Sequence, residues 1–287
     1  MKVVLFCGGY GLRMRDYSEA LPKPMVPIGN RPIIWHLMKY YAHHGHKDFI
    51  LCLGYKSHVF KEFFLNYNEC LSNDFVLSEG GQKIELLRRD IEDWRITFVE
   101  TGLESNIGER LRAVRPFLGD DPMFLANYSD GLTDCPLDDV IGRLKGTDAV
   151  GAFMAARPSV SMHFVDVDKQ GQVTGIRDVD EADLWVNAGY FAFRREIFDY
   201  LRPGEELVLE PFQRLIRERK LVAHPYTGFW RGCDTFKDLQ TLEVAHNRGM
   251  APWELWRHDQ ALPDPVAIPE AAVAAEPAPS TVIHAAE

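Results

Sequence analysis

The stretch KVVLFCGGYG, residues 2–11, joins a short apolar run to a turn rich in glycine. An apolar run with β-branched residues that ends at glycine predicts a buried strand over Lys2–Cys7. Further strand-like runs alternate with segments of helical apolar spacing up to about residue 145. This alternation is typical of a doubly wound, mostly parallel sheet. We therefore predict an α/β fold with ligands beyond the carboxyl ends of its strands.

The pattern changes after residue 145, where the sequence becomes rich in β-strand residues. Within it, DKQGQV predicts the turn of a hairpin. We expect an α/β core over residues 1–145 and a β-rich part of the same domain over residues 146–261. The tail, residues 262–287, is rich in Ala and Pro with few large apolar residues, and we predict that it is disordered.

Composition narrows the classes of partner. The 287-residue chain carries a net charge of −10, which argues against a broad nucleic-acid surface or binding to an anionic membrane. The five cysteines form no C-x-x-C pair or zinc spacing, as expected of a reduced cytoplasmic protein. We identify no membrane-spanning run and no signal peptide in the sequence. Any polyanionic ligand must therefore meet a local cluster of cations.

The glycine turn supplies such a cluster. Gly8, Gly9 and Gly11 are followed by Arg13 and, in the stretch PKPM, by Lys23. The turn lacks the third glycine of G-x-G-x-x-G, and the chain contains no P-loop string. Backbone N–H groups of the glycines could cradle a polyphosphate while the two cations neutralise it. The alternative is a surface turn with solvated charges.

The stretch GGYGLRMR followed by LPKPMVPIGNRPIIWHLMKYY resembles the sugar-1-phosphate nucleotidyltransferases, whose signature is G-G-x-G-[ST]-R-L followed by P-K-P-[ML]. ITFVETG, GERL, VNAGYF, GFWRGCDT and APWELW are most similar to its glucose-1-phosphate cytidylyltransferase branch. The resemblance covers residues 1 to about 257. It implies a Rossmann-like nucleotidyltransferase fold and a homo-oligomer.

The resemblance also implies a reaction. A sugar-1-phosphate oxygen attacks the α-phosphorus of a nucleoside triphosphate, here CTP, and pyrophosphate leaves, which requires positioning and cations more than a protein nucleophile. Two alternatives stay open: an enzyme using UTP or dTTP, and a regulatory subunit that binds a nucleotide without turnover. In the family pattern, Arg13 stabilises the leaving pyrophosphate and Lys23 grips the α-phosphate. The residues expected around the nucleotide are Gly8, Gly9, Gly11, Gly108 and Arg110.

Two distant aspartates match the metal ligands of the family. Asp130 follows the apolar run MFLANYS, and Asp234 lies in WRGCDT. The resemblance implies that they share one Mg²⁺, a hard cation that usually takes one or two protein carboxylates. The alternatives are a turn at Asp130 and a helix N-cap at Asp234.

The acceptor side departs most from the family. Asn187 in VNAGYF matches the asparagine that contacts the sugar, but the Glu-Lys-Pro expected before it is absent from GIRDVDEADLWVN. Arg177 is the nearest cation and is the candidate for the acceptor phosphate. The acceptor could therefore be another sugar phosphate, a polyol phosphate or a phosphonate. Smaller departures from the family pattern are Leu12, Ser129 and Ala188.

Overall fold

A computed structural model describes residues 1–9, 21–158, 163–178 and 184–257, together with the two-residue strand Val266–Ala267. The tail predicted to be disordered, residues 262–287, lies outside the described residues except for that strand. Among the described residues, no helix has the length and apolar character needed to cross a membrane.

The first of two compact units comprises Met1–Lys61 and Asp93–Asp259 and is built around a seven-stranded sheet. In sheet order the strands are β14 (Leu221–Tyr226), β10 (Gly151–Ala156), β13 (Val186–Arg194), β8 (Met123–Asn127), β1 (Lys2–Phe6), β4 (Asp48–Leu53) and β7 (Arg95–Glu100). All run parallel except β13, which is antiparallel to both of its neighbours. The predicted mostly parallel sheet is confirmed.

Burial explains why these strands read as continuous apolar runs. Val3 to Phe6 of β1 and Phe49 to Leu53 of β4 are all buried, since strands in the middle of a parallel sheet are covered on both faces. The α-helices are α1 (Ile33–His43), α2 (Ser57–Leu65), α3 (Ile107–Val114), α4 (Leu137–Lys145), α5 (Glu210–Arg217) and α6 (Phe236–Asn247). Short 3-10 segments lie at Lys23–Met25, Arg115–Leu118, Arg195–Asp199 and Leu255–Arg257.

Three strand pairs of the first unit lie outside the main sheet. They are β2 (Pro27–Ile28) with β3 (Arg31–Pro32), β9 (Gly131–Thr133) with β15 (Trp230–Gly232), and the hairpin β11 (His163–Val167) with β12 (Val173–Asp178). The hairpin turn predicted at DKQGQV is confirmed: the N–H of Gly171 donates to the carbonyl of Asp168, and Gly171 has a φ of +84°. Side chains on both hairpin strands are largely exposed.

The second unit, Glu62–Glu92 with Gln260–Glu287, contains a three-stranded antiparallel sheet. The order is β16 (Val266–Ala267), β6 (Lys83–Leu86) and β5 (Phe75–Ser78). Two 3-10 segments, Glu69–Leu71 and Glu79–Gly81, flank these strands. Asp90 joins the two ends of the segment Glu62–Glu92, because its carboxylate accepts a hydrogen bond from the hydroxyl of Tyr67 at 2.9 Å.

Candidate active site

The sheet topology gathers the candidate residues along one edge. Because β1, β4, β7, β8 and β10 run parallel, their carboxyl ends lie at the same edge of the sheet. Since β13 is antiparallel, the start of that strand reaches the same edge, where Asn187 pairs with Ala155 of β10. The fold therefore places the glycine turn after β1 and Asn187 at the same end of the sheet, beyond the carboxyl ends of the parallel strands. Ligands of open α/β sheets bind at that end.

Asp130 and Asp234 are brought together by the short pair β9–β15. Gly131 pairs with Gly232, so the residue before β9 lies close to the residues after β15. The N–H of Cys233 donates to the carbonyl of Asp130 at 2.8 Å, which closes the pairing. Two carboxylates far apart in the chain thus come to one place.

The two carboxylates converge on the ammonium group of Lys23. Its Nζ lies 2.8 Å from Asp130 Oδ2 and 2.7 Å from Asp234 Oδ1. The Lys23 side chain is 12% exposed, whereas those of Asp130 and Asp234 are 36% and 47% exposed. The two carboxylates are therefore more open to solvent than the largely buried ammonium group that both of them contact.

Lys23 is held in its charged form. Burial alone lowers the pKa of Lys23, but the charges and hydrogen bonds of Asp130 and Asp234 outweigh it and leave the pKa above its ordinary value. The residue begins the 3-10 turn Lys23–Met25, with Pro22 before it and Pro24 inside the turn. Proline fixes φ on both sides, so the backbone that presents the ammonium group is stiff.

The structural alternatives proposed for the two aspartates have different outcomes. The N-cap of α6 is Thr235, which forms a capping box with Asp238, so the alternative that Asp234 caps this helix is wrong. Asp130 does lie in a turn, after Ser129 with a φ of +66°. That turn fixes its backbone, while its carboxylate is directed to Lys23. Both carboxylates contact the ammonium group of Lys23.

Arg110 of α3 supports the glycine turn through a hydrogen bond to its backbone. The Arg110 guanidinium donates to the carbonyl of Gly8 at 3.1 Å and to the hydroxyl of Thr101 at 2.7 Å, with further bonds at 3.3 Å to the carbonyls of Leu53 and Leu103. Arg110 is only 3% exposed, so it is not a surface arginine of the helix. Burial lowers the pKa of its guanidinium.

The individual glycines have different surroundings. A Cβ at Gly8 would lie 1.9 Å from Arg110 Nη1, so this position admits only glycine while the arginine is in place. Among the described residues, no atom lies within 4 Å of a Cβ built at Gly9. A Cβ at Gly108 would lie 2.3 Å from the carbonyl oxygen of Glu205, which gives that glycine a packing role. Gly11 and Arg13 lie outside the described residues.

Asn187, predicted to contact the sugar, is fixed by its neighbours. Its Nδ2 donates to the hydroxyl of Tyr128 at 3.2 Å, and its Oδ1 accepts from the N–H of Gly189 at 2.9 Å. Arg177 lies on β12 and forms an ion pair with Asp166 across the exposed hairpin, with Nη2 and Oδ1 2.9 Å apart. The structure therefore commits the Arg177 guanidinium to a carboxylate of its own hairpin.

A second arginine on this side was missed by sequence reasoning. Arg157 follows β10, and its guanidinium stacks 4.2 Å from the centroid of the Trp185 ring. It also donates to the carbonyl of Leu184 at 3.2 Å. Its position near Asn187 follows from the pairing of Ala155 on β10 with Asn187, which local sequence pattern does not reveal.

A family model described as Nucleotidyl transferase matches residues 2–246 of the chain. The chain belongs to the nucleotidyl transferase family. A curated nucleotidyl transferase of Salmonella typhimurium, glucose-1-phosphate cytidylyltransferase, is 35% identical over 258 residues, covering 89% of this chain and all of the relative. A probable glucose-1-phosphate cytidylyltransferase of Bacillus subtilis is 33% identical with the same coverage.

Solved structures of nucleotidyl transferases support the fold. UDP-glucose pyrophosphorylase complexed with UDP-glucose superposes with a TM-score of 0.63 at 14% identity, covering 86% of this chain and 98% of that one. At this identity the likeness establishes the α/β fold alone. Catalysis of phosphoryl transfer depends on positioning and electrostatic stabilisation. The clustered charges of the site are therefore the feature that suits a nucleotidyl transferase.

Proposed function

We propose that the protein transfers the cytidylyl group of CTP to glucose-1-phosphate, forming CDP-glucose and releasing pyrophosphate. The observation that carries this proposal is the identity of 33–35% to glucose-1-phosphate cytidylyltransferases along their whole length. The aligned region covers 89% of this chain, and therefore far more than the glycine turn. The UTP, dTTP and regulatory alternatives lack support of this kind.

The carboxylates of Asp130 and Asp234 are proposed to hold Mg²⁺. They fit a divalent cation, because one oxygen of each lies within 2.8 Å of a single ammonium nitrogen. Two carboxylates with room for phosphate oxygens and water are the ligands that Mg²⁺ prefers. When bound, the metal would supply positive charge against the phosphate oxygens of the triphosphate.

Lys23 is proposed to change partners during the reaction. With the carboxylates engaged elsewhere, its ammonium group becomes free to bind the α-phosphate oxygens and to stabilise the charge that develops there. Arg13 is proposed to bind the leaving pyrophosphate. The glucose-1-phosphate oxygen then attacks the α-phosphorus in line, and the bond to the β-phosphate oxygen breaks.

The two sides of the edge are proposed to take one substrate each. Residues 1–145 would bind the nucleotide through Gly8, Gly9, Gly11 and Gly108, with Arg110 supporting the glycine turn. Residues 146–261 would bind the acceptor, with Asn187 at the sugar hydroxyls, since an amide can both donate and accept. Its phosphate would meet Arg157 or Arg177. The cytoplasmic location and the homo-oligomer expected from the sequence stay predictions.

The test is pyrophosphate release with Mg²⁺. CTP, UTP, dTTP, ATP and GTP are each paired with glucose-1-phosphate and with a panel of other sugar and polyol phosphates. We expect the highest kcat/KM for CTP with glucose-1-phosphate. Faster release with UTP or dTTP would overturn the base assignment, and release only with another phosphate would move the acceptor. No release from any pair, with CTP still bound, would favour the regulatory subunit.

A further inference from the structure

A second group of metal-binding side chains shares no residue with the Lys23 ion pairs. It consists of His36 on α1, His246 on α6 and Glu254, which precedes the 3-10 segment Leu255–Arg257. One ligand atom from each lies within 4.8 Å of those of the other two. His36 is 1% exposed and Glu254 is 3% exposed. Imidazole and carboxylate groups buried this deeply are shielded from water, so they need hydrogen bonds, ion pairs or a metal ion to compensate.

The tautomer of His36 follows from its surroundings. Its Nε2 lies 3.0 Å from the carbonyl oxygen of Ile28, which can only accept, so Nε2 carries the hydrogen. The lone pair is then on Nδ1, 3.7 Å from Glu254 Oε1. Burial lowers the pKa of His36 to about 4. A ring N–H bound to a backbone carbonyl is the usual support for a metal-ligating histidine.

His246 and Glu254 supply the other two candidate ligand atoms. His246 Nδ1 lies 2.7 Å from Glu254 Oε1, while Glu254 Oε2 is held by Arg257 Nε at 2.6 Å. The ring of His246 also requires glycine at position 29, because a Cβ there would lie 2.1 Å from Nε2. Gly29 has a φ of +60°, so its backbone conformation favours the same residue.

We propose that His36 Nδ1, His246 Nδ1 and Glu254 Oε1 form a structural site for a divalent transition metal, with Zn²⁺ as the cation of best fit. The site joins α6 and the segment around Glu254 to α1. It does not depend on the transfer reaction proposed above.

Donor chemistry and spacing both favour zinc. Two imidazole nitrogens and one carboxylate suit Zn²⁺, whereas Mg²⁺ prefers oxygen ligands throughout. In a tetrahedral site with bonds of about 2.0–2.1 Å, neighbouring ligand atoms are about 3.3 Å apart. The observed 2.7 Å and 3.7 Å separations from Glu254 Oε1 lie on either side of this value.

Binding has two competitors within the cluster. The indole N–H of Trp253 donates to His36 Nδ1 at 3.3 Å, a long hydrogen bond that the metal would displace. A metal bound to His246 Nδ1 also needs that nitrogen without a hydrogen, so the hydrogen bond between His246 and Glu254 would be lost and the ring hydrogen would lie on Nε2. These exchanges lower the affinity without changing the ligand set.

The test uses the full chain stripped with a chelator and then titrated with Zn²⁺ alone against a competing chromophoric chelator. To remove the acidic site, the titration is repeated in Asp234→Asn. We expect about one equivalent of bound Zn²⁺ in both proteins, with a rise in Tm. Loss of a group that only supports a metal ligand weakens metal affinity by about 10- to 100-fold. His246→Gln and Glu254→Gln remove ligands themselves, so each should weaken Zn²⁺ binding by at least that much.

Two results would overturn the proposal. One is the absence of stoichiometric Zn²⁺ binding in the wild-type chain; the other is binding that is lost in Asp234→Asn but kept in His246→Gln. Circular dichroism checks that the variants fold. Co²⁺ bound to the wild-type chain gives a readout that needs no variant. Intense tetrahedral d–d bands without a thiolate charge-transfer band are expected, and an octahedral or thiolate spectrum would exclude this ligand set.

Discussion

Two of the arginines predicted to meet the substrates, Arg110 and Arg177, have opposite environments. Arg110 is 3% exposed and donates to four oxygens contributed by β4, the glycine turn and the chain after β7. The Arg177 side chain is 51% exposed and pairs with Asp166 on a two-stranded hairpin. A buried guanidinium fixes the backbone around it, whereas an exposed pair contributes little to stability. The nucleotide side is therefore built rigidly, and the acceptor side is open to change.

The largest effect expected at this edge comes from Lys23, which lies between the two sides. Lys23→Met removes the cation proposed to stabilise charge at the α-phosphate, and loss of one such interaction costs about 10²–10³-fold in kcat. Pyrophosphate release measures the effect. Lys47→Met is the matched control, because Lys47 is an exposed lysine that also pairs with an aspartate, Asp93. Similar rates in both variants would exclude the proposed role of Lys23.

The next largest effect concerns the rigid side. Arg110→Met leaves the carbonyl of Gly8 without its guanidinium partner, and we expect a loss of about 3 kcal/mol in the free energy of unfolding. The KM for CTP should rise while the KM for glucose-1-phosphate changes little, because the glycine turn loses its support.

Denaturant titration and substrate kinetics test this prediction. Arg112→Met is the matched control, since Arg112 is an exposed arginine on the same helix. Arg110→Lys sharpens the comparison, because it keeps the charge but loses the planar fork that reaches several oxygens at once. If Arg110→Met were as stable and as active as Arg112→Met, the rigid nucleotide side would not depend on this arginine.

A smaller effect is expected at the metal ligands. Asp234→Asn should raise the Mg²⁺ concentration needed for half-maximal rate by about tenfold or more, since a carboxylate ligand becomes a neutral amide. Asp120→Asn, at an exposed aspartate, is the control. Mn²⁺ binding to the nucleotide-free protein, measured by electron paramagnetic resonance, distinguishes the role of Asp234 from that of Lys23. Asp234→Asn should weaken it, and Lys23→Met should strengthen it by removing a competing positive charge from both carboxylates; unchanged binding in both would contradict a shared cation site.

The rigid side was largely predictable from sequence. Buried parallel strands read as apolar runs, and their carboxyl ends give the ligand edge without further information. The burial of Arg110 was readable as well, since it lies three residues after Ile107 and four before Val114, on the buried face of α3. Its assignment as a nucleotide contact came from the resemblance alone.

Other features could not be read from local pattern. Asp130 and Asp234 meet through β9 and β15, strands of three residues whose pairing is fixed only by the tertiary fold. The His36, His246 and Glu254 cluster joins two helices distant in sequence, and the sequence analysis did not anticipate it. The pair β5–β6 of the second unit was likewise not predicted. Non-local pairing of short elements leaves little periodic signal.

The smallest effect should separate two candidates for the acceptor phosphate. Arg157→Ala and Arg177→Ala are both expected to leave the KM for CTP unchanged and to cost little stability, because Arg157 is half-buried and Arg177 exposed. The one that binds the phosphate should raise the KM for glucose-1-phosphate, by about tenfold for a lost charged hydrogen bond. We expect this to be Arg157, since β10 pairs beside Asn187 while Arg177 is engaged by Asp166. A rise only in Arg177→Ala would mean that the hairpin exchanges Asp166 for the substrate, and the open side would then be where this enzyme selects its acceptor.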